Sequence, residues 1–202
     1  MDDLVEEVVG IGGRDLCLLR PRDAEALLSE DAFEHEEFLP YWAELWPSGV
    51  ALARTLDGRS LRGARTLELG CGLGAASVVA ALQGGRVLAT DWSAGAIVLT
   101  ERNAERNGAR LQTARSAFAD APRLRGKHAW DLVLAGDVLY ERRNVPLLLD
   151  VLPRLLAPGG EVLLADPGRP AAPDFFERAR AAWSVKTTGS NGVGVHRLRP
   201  IA

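Results

Sequence analysis

Short apolar runs alternate along most of the chain with longer segments in which apolar residues recur every third or fourth position. The short runs predict buried β-strands, and the periodic segments predict amphipathic helices. Strands are predicted at residues 65–69, 86–91, 110–116, 131–138 and 161–166, and helices at 75–82, 93–107, 145–156 and 173–182. Such alternation predicts a mainly parallel, doubly wound α/β sheet with helices on both faces.

Proline, serine and glycine mark several helix ends in this pattern. Ser93 is suited to cap the helix at 93–107, and Gly108 lies just past its end. Pro47 and the serine after it predict a further helix that runs to about Leu56. Pro153 is expected to bend the helix at 145–156, and a Pro-Gly-Gly turn at 158–160 leads into the next strand.

Hairpins are predicted at both ends of the chain. Residues 4–9 and 15–19 are β-formers around Gly12-Gly13, and residues 183–188 and 193–198 alternate around a Gly-Ser-Asn-Gly turn. The C-terminal hairpin places one antiparallel strand in the sheet and brings the number of its strands to seven. The chain is therefore divided into an N-terminal extension, residues 1–46, and an α/β domain, residues 47–202.

The composition is that of an ordinary globular protein. Apolar residues make up 47% of the 202, which is enough for one α/β domain with a substantial core. No apolar run reaches the roughly 20 residues that a membrane helix needs. The N-terminus is acidic and lacks the basic start of a signal peptide, so we expect a cytoplasmic protein. The cysteines and histidines have no metal-ligand spacing, so no metal is expected.

Charge is distributed unevenly along the chain. Residues 1–46 hold 13 Asp and Glu against 3 Lys and Arg, whereas residues 47–202 hold 14 against 21. An acidic N-terminal segment favours binding of a basic partner and disfavours binding of nucleic acid. A solvated helical face at residues 21–39, which are acidic and weakly helical, explains the same pattern equally well.

The most informative motif is Glu-Leu-Gly-Cys-Gly-Leu-Gly at residues 68–74, between a predicted strand and a predicted helix. A glycine turn in this context lets a nucleotide approach the backbone, because no Cβ stands in the way. Cys71, inside the turn, is interpreted as a small apolar filler. The motif alone leaves the nucleotide open, since Gly70-x-Gly72-x-x-Ala75 also satisfies the dinucleotide fingerprint of NAD-binding proteins.

Acidic and aromatic residues follow several other predicted strands. Asp91 with Trp92, Asp137 with Tyr140, and an Asp with Arg169 come after the second, fourth and fifth strands of the sheet. These ends converge on one edge, where ligands of open α/β sheets bind, and Asp91 is placed to accept hydrogen bonds from ribose hydroxyls. Asp137 is also suited to cap a helix. Arg169 is equally suited to pair with the Asp166 carboxylate or to contact a substrate.

Three features favour S-adenosylmethionine over NAD. Glu68 would repel a pyrophosphate but can support the ammonium group of a methionine moiety. Asp137 and Tyr140 provide a carboxylate and an aromatic ring where a nucleophile would enter. A terminal hairpin is unusual for a dehydrogenase half-domain. These features predict methyl transfer.

Five elements in order resemble the seven-β-strand, class I protein methyltransferases of the lysine methyltransferase type, whose fold is Rossmann-like. They are Pro40–Gly49, Glu68–Gly74, Asp91-Trp92, Gly136–Tyr140 and Asp166–Pro170. The similarity is greatest to the electron-transfer-flavoprotein β-subunit lysine methyltransferases and their bacterial relatives, which share the Asp-Pro-Gly-Arg-Pro element. It extends over roughly residues 38–200 and makes 47–202 the methyltransferase domain.

The resemblance implies a role for each matching residue. Asp137 and Tyr140 would be catalytic, and the acceptor amine would be bounded by Tyr41, Trp42 and Arg169. The S-adenosylmethionine site would comprise Trp46, Glu68, Gly70, Cys71, Gly72, Gly74, Asp91, Trp92, Phe118 and Gly136. Phe118 stands where the family usually has a Trp near the adenine, and it still offers an apolar face. For Trp42 and Trp46 a place in the core is the competing interpretation.

The sequence thus predicts an S-adenosylmethionine-dependent N-methyltransferase that acts on a protein lysine. A small-molecule amine is the alternative acceptor. An NAD-dependent oxidoreductase and a non-catalytic nucleotide-binding protein are the remaining hypotheses. We expect a monomer that binds neither nucleic acid nor membranes.

Overall fold

The computed structural model of the chain describes residues 3–27, 40–125, 129–190 and 192–201. The helix predicted within the acidic segment at 21–39 lies largely outside these residues, and its described part holds one 3-10 turn at Glu25–Leu27. Asn191, in the predicted C-terminal turn, also lies outside them. Among the described residues, no helix is long and apolar enough to cross a membrane.

The strands form a two-stranded hairpin and a larger sheet. The hairpin joins β1 (Leu4–Ile11) to β2 (Arg14–Pro21). In the described part of the chain, the larger sheet has seven strands: β3 (Arg65–Leu69), β4 (Arg86–Asp91), β5 (Gln112–Arg115), β6 (Trp130–Gly136), β7 (Leu156–Asp166), β8 (Trp183–Ser190) and β9 (Val193–Pro200). Their order is β5-β4-β3-β6-β7-β9-β8, and β9 alone of these runs antiparallel to the rest. The predicted doubly wound sheet with one antiparallel strand is confirmed.

Five α-helices in the described ranges connect these strands: α1 (Pro47–Leu56), α2 (Ala75–Leu82), α3 (Ala94–Arg106), α4 (Asn144–Leu155) and α5 (Ala172–Ala179). Pro47 occupies the first turn of α1 as predicted, where its missing N–H costs no helical hydrogen bond. Ser93 caps α3, because its hydroxyl accepts a hydrogen bond from the Gly95 N–H. Gly108, past the end of α3, has φ +67°.

The sheet separates two apolar layers. Val162 and Leu164 of β7 pack with α4 and α5 on one face, while Leu163 and Ala165 pack with α1 and α2 on the other. This alternation follows from the two-residue period of a strand, and both faces are apolar because helices cover both. The prediction of helices on both faces is therefore confirmed.

The start of β7 differs from the prediction. The helix α4 continues through Pro153 to Leu155, and extended backbone begins at Leu156 rather than at Glu161. The pairing of β6 with β7 changes register here, from Trp130 opposite Leu156 to Leu132 opposite Glu161. The predicted Pro-Gly-Gly turn is thus a bulge inside β7. Its residues are extra relative to β6, so they do not pair with that strand between the two registers.

The N-terminal hairpin packs against α3 and shares the core of the α/β domain. The Leu19 N–H donates to Asn103 Oδ1 (2.7 Å), and Asn103 Nδ2 donates to the Leu19 carbonyl (3.1 Å). Asn107 makes the same pair of bonds with the backbone of Cys17. The side-chain amides of Asn103 and Asn107, on α3 and at its C-terminal end, thus make the hydrogen bonds that a neighbouring strand would make along the edge of β2.

Candidate active site

A cleft opens at the carboxyl end of the sheet, at the point where the strand order reverses. From β3 the chain moves one way to β4 and β5, and then crosses to β6 on the other side of β3. The residues that line the cleft follow these strands or precede α1: Tyr41, Trp42, Trp46, Gly70, Gly72, Asp91, Trp92, Phe118, Gly136, Asp137, Val138, Tyr140, Glu141 and Arg169. This is the position at which open α/β sheets bind ligands.

The glycine turn after β3 depends on left-handed backbone that only glycine adopts at little cost. Gly70, Gly72 and Gly74 have φ +67°, +53° and +79°. A Cβ on Gly74 would lie 2.7 Å from Cγ2 of Thr100, so α3 packs directly against the turn. The turn therefore presents bare backbone to the cleft on one side and is held by α3 on the other.

Asp91 joins the end of β4 to the glycine turn. Its Oδ2 accepts the Gly72 N–H at 3.0 Å, and its Oδ1 accepts the Ser93 N–H at 2.9 Å. Burial raises the pKa of the Asp91 carboxyl, and the backbone hydrogen bonds oppose that shift. Each oxygen keeps a further lone pair, so a carboxylate in a fixed orientation borders the cleft.

Asp137 occupies an unusual backbone conformation at the end of β6. Among the described residues it is the one non-glycine residue with positive φ, at +56°, and its N–H donates to the Ala165 carbonyl at 2.8 Å. The helix α4 begins only at Asn144, so the interpretation of Asp137 as a helix cap is wrong. Strain of this kind persists only where the surroundings hold it, and it is common at active sites.

Arg169 pairs with Asp137 through two of its three guanidinium nitrogens. Nε donates to Oδ1 at 2.7 Å, and Nη2 donates to Oδ2 at 2.8 Å. The hydrogen bond to the Asp137 carboxylate raises the pKa of the Arg169 guanidinium. Oδ1 of Asp166 accepts the backbone N–H groups of Gly168 and Arg169, so Asp166 shapes the loop, and its charge also acts on the Arg169 guanidinium that is hydrogen-bonded to Asp137.

Aromatic rings form one wall of the cleft. Tyr41 lies 6.3 Å from Trp46 and 6.0 Å from Tyr140 between ring centroids. The Trp46 indole N–H donates to the Tyr41 carbonyl, and the Arg169 guanidinium lies 5.5 Å from the centre of the Trp46 ring. Such rings favour a cation or a desolvated amine beside them.

Two other predicted rings contact the glycines around the cleft. A Cβ on Gly95 would lie 2.5 Å from the Trp42 ring, and one on Gly70 would lie 3.4 Å from the Phe118 ring. Trp42 also places its backbone carbonyl over Gly72. Both rings are half-buried and line the cleft, so each packs against the fold on one side and borders the cleft on another.

One protein family matches most of the sequence. The profile of the lysine methyltransferase family matches residues 36–181. The chain belongs to this family.

Curated proteins similar to this chain are named for the proteins that they methylate. The electron transfer flavoprotein beta subunit lysine methyltransferase of Xenopus laevis is 38% identical over 136 residues, which cover 64% of this chain and 53% of the relative. The human enzyme of that name is 35% identical over 159 residues, or 77% of this chain and 59% of the relative. The mouse EEF1A lysine methyltransferase 3 is 33% identical, over 67% of this chain and 61% of the relative. The chain thus spans little more than half the length of the relatives it matches.

Solved structures confirm the Rossmann-like fold of class I methyltransferases. The T. thermophilus 16S rRNA N2 G1207 methyltransferase, solved with AdoMet and guanosine, superposes with a TM-score of 0.72 at 17% identity. The superposition covers 100% of this chain and 52% of the T. thermophilus chain. A ribosomal protein L11 methylase from Lactobacillus delbrueckii gives 0.58 at 21% identity, over 74% and 76% of the two chains. At such identities the likeness shows the fold alone.

Three residues that the sequence prediction assigned to the cofactor site do not line the cleft, namely Glu68, Cys71 and Gly74. Gly74 is the N-cap residue of α2, and Cys71 is buried with its thiol 3.3 Å from the Thr100 hydroxyl. Burial raises the pKa of the Cys71 thiol well above its usual value, which agrees with its interpretation as a filler. Glu68 accepts hydrogen bonds from the Ser77 N–H and hydroxyl inside the fold.

Because Glu68 is buried, its carboxyl does not carry the negative charge that the sequence prediction assumed. Glu68 is only 2% exposed, and burial raises the pKa of its carboxyl from 4.5 to about 8. It is therefore mainly protonated at neutral pH, and the expected repulsion of a pyrophosphate has no support in the structure. The preference for S-adenosylmethionine over NAD must therefore come from residues that line the cleft, and Glu68 is not one of them.

The sequence prediction missed two residues that line the cleft, Val138 and Glu141. Both lie within or beside the Asp-x-x-Tyr segment, and their proximity to Asp137 and Tyr140 was the available signal. Among the described residues, no group of three or more His, Cys, Asp and Glu is placed to hold a metal ion.

Proposed function

We propose that this lysine methyltransferase family member transfers a methyl group from S-adenosylmethionine to a lysine side chain of a protein. The observation that carries the proposal is that two groups of residues line one cleft at the point where the strand order reverses. The glycine turn with Asp91 stands on one side of the cleft, and Asp137 with Tyr140 stands on the other. One side suits a nucleoside, and the other suits an amine.

The residues around the cleft fit the cofactor. Gly70 and Gly72 leave space that a Cβ would fill, and the fixed Asp91 carboxylate can accept hydrogen bonds from the two hydroxyls of a ribose. Phe118 and Trp92 supply apolar faces for an adenine. When bound, the cofactor supplies a methyl group already activated on a sulfonium, so no metal is required.

The amine side must handle a proton. With a reference pKa of about 10.4, only about 0.04% of a free lysine is uncharged at pH 7. Tyr41, Tyr140 and Trp46 replace water around an entering side chain with aromatic surface, which favours the neutral amine. Asp137 lies on the same side and orients the nucleophile, which must approach within about 3–3.5 Å in line with the bond that breaks.

The named acceptors of the relatives are proteins. Relatives similar to this chain are named for the beta subunit of electron transfer flavoprotein and for EEF1A. We therefore infer a protein acceptor and take the electron transfer flavoprotein beta subunit as the first candidate. A small-molecule amine is the competing acceptor.

Labelled methyl transfer tests the proposal directly. The protein is incubated with methyl-labelled S-adenosylmethionine and a cell lysate, which is then separated into protein, small-molecule and nucleic-acid fractions. We expect label in the protein fraction, on lysine, and a parallel reaction with purified electron transfer flavoprotein. Label confined to small molecules would refute the protein acceptor. Calorimetric binding of NAD but not of S-adenosylhomocysteine would refute the cofactor.

A further inference from the structure

The pairing of Arg169 with Asp137 neutralises a carboxylate that lines the cleft. An unpaired carboxylate beside an entering lysine would stabilise its ammonium form, and an ammonium has no lone pair with which to attack a methyl group. The geometry removes this difficulty, because both carboxylate oxygens already accept charge-assisted hydrogen bonds from one guanidinium.

Arg169 is held in place for this task. The Asp166 carboxylate accepts the N–H groups of Gly168 and Arg169 at 2.7 and 2.9 Å, and the Arg169 carbonyl accepts the N–H of Ala172. Prolines on both sides of the Gly168-Arg169 pair restrict the loop further. The guanidinium also stacks against Trp46, so it is fixed from the backbone and from the ring face.

The other acidic groups around Asp137 interact with a neighbouring cation or with backbone, although Asp166 Oδ2 has no hydrogen-bond partner among the described residues and the Asp166 charge also acts on Arg169. Glu141, which follows on the same loop, forms an ion pair with Arg143. Asp91, from β4, and Asp166, from β7, accept backbone N–H groups. Arg169 is therefore the cation whose removal uncovers Asp137, a side chain only 6% exposed.

We propose that Arg169 is a positioning residue that neutralises Asp137, so that the cleft admits the acceptor amine in its uncharged form. The role rests on the proposed function and adds to it the protonation state in which the acceptor enters. The neutral amine meets an ion pair and aromatic faces, and a remaining lone pair of the carboxylate accepts its N–H and directs the nitrogen. Arg169 thus acts through Asp137 rather than on the reacting atoms.

Binding of n-butylamine, the end of a lysine side chain, tests this assignment without any methyl transfer. Its binding to the protein is followed by tryptophan fluorescence at constant ionic strength, with n-butanol as the uncharged control. For the wild type, the apparent affinity for total amine should rise about tenfold per pH unit between about pH 7.5 and 9.5, in step with the neutral fraction. For Arg169→Met the affinity should be flat over that window and higher than that of the wild type at its lower end.

Rescue variants separate charge from structure. In Asp137→Asn/Arg169→Met both charges are gone, and the steep wild-type pH dependence should return. Arg169→Lys keeps a cation and should keep the slope. Arg154→Met is the matched control: it breaks an exposed ion pair with Asp150 on α4, roughly 15 Å along the helix from Asn144, and should match the wild type.

Three results would overturn the proposal. They are a flat pH dependence in the wild type, an unchanged steep dependence in Arg169→Met, and absence of n-butylamine binding to either protein. Failure of the proposed function is distinguishable from these. If the pH dependences of n-butylamine affinity are as expected but no fraction of the lysate is methylated, the proposed activity is refuted. If methyl transfer occurs but Arg169→Met keeps the steep pH dependence of the wild type, only the role of Arg169 is refuted.

Discussion

Glu68 provides a quantitative test of how burial controls charge beneath the glycine turn. Its carboxyl is 2% exposed, and the hydrogen bonds from Ser77 only partly offset the cost of ionising it there. Substitution by Gln keeps the shape and can keep a hydrogen bond from the Ser77 N–H, but it removes the titrating proton. The variant therefore isolates the contribution of this proton to stability.

The sign of the effect follows from the two pKa values. The unfolded chain loses the Glu68 proton near pH 4.5, whereas the folded protein keeps it up to about pH 8. Between these values the folded state binds more protons, so its stability falls as pH rises. The slope approaches about 1.4 kcal/mol per pH unit, and the whole window amounts to about 5 kcal/mol.

Urea unfolding followed by tryptophan fluorescence measures this difference. The free energy of unfolding is determined for the wild type and for Glu68→Gln at several pH values. The difference between the two should change by about 3 kcal/mol over two pH units inside the window, with the wild type losing stability relative to the variant. Above about pH 8 the difference should reach a plateau.

Two further variants make the result decisive. Ser77→Ala removes a hydroxyl that stabilises the ionised carboxyl, so it should extend the falling region to higher pH. Glu177→Gln, at an exposed position of α5, is the matched control and should run parallel to the wild type. Parallel curves for Glu68→Gln and the wild type would show that the carboxyl is ionised in the folded protein, and the desolvation argument would be wrong.

Three other predictions concern the turn, the hairpin and the cofactor side. Asn103→Ala should lower the free energy of unfolding by about 3 kcal/mol, because three hydrogen bonds to buried backbone are lost; a loss below about 1 kcal/mol would show that water replaces the amide. Gly74→Ala should cost about 2–3 kcal/mol from its φ of +79° and its contact with Thr100. In Thr100→Ala the same change should cost only about 1 kcal/mol, and an equal cost in both backgrounds would contradict the contact. Asp91→Ala should weaken calorimetric binding of S-adenosylhomocysteine more than about tenfold, while Asp137→Ala should abolish methyl transfer and leave that binding within a few-fold; equal affinities of the two variants would refute the division of the cleft.

The elements of the fold were predictable because their signals are local. The strand before the glycine turn, Ser93 at the start of α3 and Pro47 at the start of α1 each depend on neighbours within a few residues. The convergence of Asp91 and Asp137 was also predictable, because the carboxyl ends of parallel strands meet at one edge. The family resemblance rested on the same short segments.

Contacts between distant segments were decided by the tertiary structure. Arg169 and Asp137 are 32 residues apart, and they meet because β6 and β7 are neighbours and Asp137 adopts left-handed backbone. Asn103, on a helix with many charged residues, is fully buried because the N-terminal hairpin covers it. Sequence periodicity indicates which face of a helix a residue occupies, but not which other element will pack against that face.

Glu68 shows the same division at a single position. By itself the sequence determined an acidic residue in a strand, two positions before the first glycine, and a nucleotide site at the end of that strand. Only the tertiary structure decided that the carboxyl is covered by Ser77 of α2 and does not line the cleft. The reason is physical: local sequence sets backbone conformation, whereas the charge and partner of a side chain depend on how much water the packed elements exclude.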